Sequence, residues 1–68
     1  MLKNSIYKVK VTLQDKGKEF QRNEEIIALN ISMIPLELKK QLNKYRHASG
    51  LTKNYKILNY EAIHNGYC

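Results

Sequence analysis

The residues of this chain best suited to chemistry are its cations. Lys39, Lys40, Lys44, Arg46, Lys53 and Lys56 fall within residues 38–60 with no Asp or Glu among them, whereas residues 23–37 carry Glu24, Glu25 and Glu37 and no cation. Such a run can neutralise phosphates and release their condensed counterions, with Asn43, His47, Ser49 and Thr52 as neutral donors to phosphate oxygens. Lys39, Lys40, Lys44, Arg46, His47, Lys53 and Lys56 are therefore the set expected to contact nucleic acid, a nucleoprotein or another partner. The plainer reading is a solvated helix face, because a helix C-terminus itself favours cations by about 0.3–1 kcal/mol each. Lys8 and Lys10 are expected to form a second basic surface on a strand, with Arg22 or Lys18 beside them across a hairpin.

Other chemistries have weaker support. Single-stranded nucleic acid needs aromatic rings interleaved with cations, and only Tyr55 and Tyr60 remain as stacking candidates once Tyr7 is committed to an apolar strand face. His64, Cys68 and His47 could offer soft ligands to zinc, but a structural site usually takes four ligands in close pairs, so no metal and no cofactor are expected. Arg46 and His47 beside Lys44 would suit general acid–base cleavage of RNA. A Lys-Tyr-Arg-His run at a helix end points in several directions at about 100° per residue, however, and there is no Gly-rich phosphate loop or paired carboxylate. The expectation is a non-catalytic binding protein.

The chain has 68 residues and a formal charge of +6, with one cysteine and a 43 % hydrophobic composition. That is enough for one small domain, whose core stabilises it only marginally without a disulfide. A homodimer is the expected response. No apolar run approaches the roughly 18 residues of a membrane-spanning helix, and the first residues alternate apolar with Lys, so a cytoplasmic location is expected. The abundance of Lys, Asn, Ile and Tyr, encoded mainly by A/T-rich codons, suggests a phage or other mobile element. From that comes the alternative function: a small inhibitor or adaptor that uses its sheet edge or an apolar strand face, with Ile57 and Ile63 as the first contacts.

The elements that must position these residues are legible from periodicity. Tyr7, Val9, Val11 and Leu13 alternate with Ile6, Lys8, Lys10 and Thr12, the signature of a half-buried strand. Asp15-Lys16-Gly17-Lys18 follows as a tight turn in which Gly17 supplies a positive φ. Pairing Leu13 with Phe20 sets Val11 against Arg22 and Tyr7 against Ile26, the register that joins apolar partners. Residues 23–32 read as strand or helix, and three isoleucines with Asn30 and Ser32 favour strand. Ser32 then caps a helix that tolerates Pro35 in its first turn, with Ile34, Leu38, Leu42 and Tyr45 on one stripe. Gly50 closes it as a left-handed cap with Leu51 folding back.

Residues 55–64 alternate again, with Tyr55, Ile57, Asn59, Glu61 and Ile63 on one side, and form a third strand at the sheet's centre or at a dimer edge. The predicted fold class is α+β, a β-β-α-β chain with a three-stranded antiparallel sheet and one amphipathic helix packed on it. The alternative is a hairpin followed by two helices broken at Pro35.

Overall fold

The structure, a computed structural model, describes residues 3–68. Strand β1 (Ser5–Asp15) turns back into β2 (Lys18–Ala28); a 3-10 turn (Ile31–Met33) leads into helix α1 (Ile34–Lys44), a short α2 (Arg46–Ser49) and the last strand, β3 (Lys56–Tyr67). The predicted β-β-α-β fold is the one observed. The three strands form an antiparallel sheet in the order β2-β1-β3, so β1 is central and β3 is an edge. Because β2 and β3 both run antiparallel to β1, α1 carries the chain from one edge to the other over a single face.

Alternation in β1 dictates that face. Tyr7, Val9, Val11 and Leu13 are buried and meet Ile26 and Ala28 of β2 and Ile34, Leu38 and Leu42 of α1, with Leu51 at the far end. The hairpin register is the predicted one: Leu13 opposes Phe20, Val11 opposes Arg22 and Tyr7 opposes Ile26. The turn needs positive φ at two residues, Lys16 at 56° and Gly17 at 76°. A two-residue turn of this hand matches the twist of the strands it joins, which is why it suits a hairpin.

Several local expectations are overturned. Strand β2 ends at Ala28, and Asn30, not Ser32, caps the 3-10 turn: its side-chain oxygen accepts from the Ser32 backbone N–H at 3.1 Å. Tyr45 leaves the buried stripe, since its backbone (φ −104°, ψ 20°) interrupts the helix between α1 and α2, and the ring is half exposed. Gly50 does close α2 at φ 75°; Gly50 N–H donates to His47 C=O and Leu51 N–H to Arg46 C=O, the paired bonds of a Schellman cap. In β3 the alternation slips between Ile57 and Asn59: Ile57 opposes Leu13 while Asn59 opposes Thr12. One extra residue on that strand re-aims its neighbours. Ile57 therefore joins Tyr60 and Ala62 against the core, on the face opposite Ile63.

Candidate nucleic-acid interface

The cations predicted from sequence divide into three groups in space. On α1, Lys40 and Lys44 lie one turn apart and line the groove between the helix and β2 with Glu25, Glu37 and Tyr45. Acids share this groove: Lys40 Nζ is 3.6 Å from Glu37, and Lys44 Nζ lies 5.5 Å from the centre of the Tyr45 ring. Lys39 stands on another stripe with Asn43, which accepts a hydrogen bond from the Tyr55 hydroxyl, and so faces the β3 side of the helix. Arg46, His47, Lys53 and Lys56 continue from there to the end of the sheet. Arg46 is near enough to Tyr55 to favour its ionised form, but burial of the phenol outweighs this and raises the pKa of Tyr55 above 10.0.

The tertiary structure adds two cations to this end, Lys16 and Lys18, that the sequence does not place there; Lys18 is expected from sequence, if anywhere, beside Lys8 and Lys10. Asp15, the last residue of β1, is only 6 % exposed. Its carboxylate accepts from the Thr52 backbone N–H at 2.8 Å and from the Thr52 hydroxyl, which ties the hairpin turn to the loop before β3. Those two bonds, the hydroxyl's first, stabilise the anion and hold the Asp15 pKa below 3.8, helped by the nearby Lys16 charge. With the acid enclosed, Lys16 and Lys18 of the turn stand at the same end of the molecule as Lys53 and Lys56. All four are exposed. Glu19 is the exposed acid nearest them in sequence. No local pattern in either segment points to the other, because Asp15 and Thr52 are 37 residues apart and are brought together by the pairing of Gln14 with Lys56 and by their own hydrogen bonds.

The second basic surface is not present as predicted. Arg22 opposes Val11, which places it on the helix-covered face, where its Nε lies 3.8 Å from Glu24. Lys8 and Lys10 occupy the open face, but Lys8 opposes Glu25 across β2 and Lys10 opposes Glu61 across β3. Cross-strand neighbours of opposite charge attract by about 0.2–1 kcal/mol each, so the positive potential of these lysines is offset by acids on the same face. The open face also carries no aromatic ring among the residues paired across it from Ile6 to Gln14. Tyr60 packs against the core and Tyr55 is partly buried with its hydroxyl occupied, so the two rings expected as a stacking platform are not free.

At the opposite end of the 43 Å molecule, the His64 ring packs edge-on against Tyr7 and Tyr67, with centroid separations of 5.6 and 4.8 Å. Cys68 is exposed, and its backbone N–H donates to Asn4 C=O. Among the described residues no group of three or more His, Cys, Asp or Glu side chains is placed to hold a metal. No helix there is long and apolar enough to cross a membrane. The chain matches no known protein family, no characterised protein and no solved structure.

Proposed function

We propose that this protein is a non-catalytic module that binds the phosphate backbone of duplex nucleic acid through the basic end of its sheet. The observation that carries this reading is the convergence of Lys16 and Lys18 with Lys53 and Lys56, brought about by the pairing of Gln14 with Lys56 and by the Asp15–Thr52 bonds, and continued by Arg46 and His47. Lys16 supports it further. A non-glycine residue at φ 56° is held in the left-handed region at a cost of about 1 kcal/mol, where Asn or Gly would be less strained. Strain kept at an exposed lysine is more readily understood as functional than as structural. Duplex is favoured over single strands because the open sheet face, from Ile6 to Gln14 and the residues opposite, sets its lysines against acids in register and offers no ring on which bases could stack.

The test is the salt dependence of binding. Each phosphate neutralised on duplex DNA contributes about 0.9 to the log–log slope, so replacing Lys16, Lys18, Lys53 and Lys56 by Gln should flatten it by about two to four units. Lys8→Gln with Lys10→Gln should leave the slope unchanged. Failure of duplex DNA and RNA to bind at low salt, where nonspecific attraction is strongest, would refute the proposal. A protein-interaction module from a mobile element is the second reading, and it has its own support: Ile27, Leu29, Ile31 and Leu36 are all more than 40 % exposed around the turn from β2 into α1. Charge substitutions at Ile31 and Leu36 would then abolish partner capture while leaving nucleic-acid affinity unaltered.

A further inference from the structure

The sheet has two edges, and they are not equivalent. β3 carries two irregularities in its pairing with β1, at Leu13 and between Ser5 and Tyr7, and such breaks bend an edge and spoil it as a template for another strand. β2 pairs with β1 over all eleven residues in unbroken register and contains no proline. Among the described residues no strand pairs with its outer side. The two-residue turn makes Asp15 and Lys18 a hydrogen-bonded pair. From there the antiparallel alternation directs the N–H and C=O groups of Glu19, Gln21, Asn23, Glu25 and Ile27 to the free edge.

We propose that this edge pairs with β2 of a second copy of the chain, antiparallel about a two-fold axis at Asn23, to give a six-stranded sheet. Only registers that set these outward-facing residues against one another satisfy their backbone groups, and charge selects among them. With Asn23 opposite Asn23, Arg22 faces Glu24 of the second copy and Glu24 faces its Arg22. Within one chain these two side chains are already 3.8 Å apart, so the pairing closes a ring of four alternating charges. The same register sets Phe20 against Ile26 of the second copy, at the groove of about 290 Å³ that α1 forms with β2. A shift of two residues either way places Arg22 against Arg22 or Glu24 against Glu24, and like charges directly opposed are destabilising. The pairing is isologous, as a closed dimer requires. Eleven paired residues at about 3.4 Å each set the two basic ends about 35 Å apart.

Sedimentation equilibrium on the full chain tests this, with circular dichroism melting of each variant as the check on folding. The wild type should weigh twice its 8.0 kDa monomer at micromolar concentration. Arg22→Glu and Glu24→Arg should each raise the dimer dissociation constant by about tenfold or more, and the double exchange should restore it. Asn23→Pro should give a folded monomer, because it removes an N–H that only the second copy would use. A wild type that stays monomeric up to millimolar concentration overturns the proposal. So does a dimer that withstands both single exchanges and Asn23→Pro, or a double exchange that fails to re-associate.

Discussion

Two leucines in α1, two residues apart, should respond to the same substitution in opposite ways. Leu38 is 0 % exposed and lies between Ile34 and Leu42 on the stripe that covers β1, whereas Leu36 is 52 % exposed on the outer side. Truncating a buried leucine to alanine removes its transfer free energy and leaves a cavity, for a total of about 2–5 kcal/mol. In a molecule only 17 Å across its shortest axis the helix can settle partly into that space, so the lower half of the range, about 2–3 kcal/mol, is expected for Leu38→Ala. At about 0.05–0.15 kcal/mol per residue the whole 68-residue chain is stable by only about 3–10 kcal/mol. The loss is therefore a large share of the total, and at about 4–8 °C per kcal/mol it should lower Tm by about 10–20 °C. Leu36→Ala should change stability by less than about 0.5 kcal/mol. Far-UV circular dichroism melts and urea titrations, run at one protein concentration because association raises apparent stability, would measure both. Equal losses, or a larger one at Leu36, would mean that α1 presents a different stripe to the sheet and that the core is assembled from other residues.

The turn and its clamp give two more predictions. Gly17→Val should destabilise by about 1–2 kcal/mol through the backbone alone, since a β-carbon there meets nothing within 4 Å and only the positive φ of 76° resists it; an unchanged Tm in thermal melts would contradict the geometry. The Asp15 pKa is lowered on folding, so its contribution is complete above the unfolded value near 3.8 and is lost as pH falls through the lower folded value. Asp15→Asn should flatten stability against pH in that acid range, below about pH 4, and loosen the loop around Thr52; a wild-type acid limb in urea titrations of the variant would refute the assignment.

Much of this architecture is written in local pattern. Val9, Val11 and Leu13 alternate because one face of a strand must be dry, and the register follows because only one pairing sets Leu13 against Phe20. Gly50 and Leu51 end the helix by backbone chemistry that depends on a few neighbouring residues. The order of strands in the sheet was not legible in the same way. Both faces of residues 55–64 carry apolar groups, and only the sheet itself decides that β1 is central and that an extra residue near Leu58 turns Ile57 to the core. The face of Arg22 follows from the register: opposing Val11 commits it to the covered side while Lys8 and Lys10 look the other way, so the surface expected of the three does not form.

The candidate site divides along the same line. That the second half of the chain is basic is a property of composition, and any fold would inherit it. That Lys40 and Lys44 face a groove shared with acids, while Lys16 and Lys18 join Lys53 and Lys56 at one end, depends on contacts between segments far apart in the chain. Periodicity reports which side of an element is apolar, because burial acts residue by residue along one strand or helix. It carries no information on which distant strand or loop will lie beside a turn, and here the pairing of Gln14 with Lys56 and the bonds from Thr52 to Asp15 decide where the charges meet.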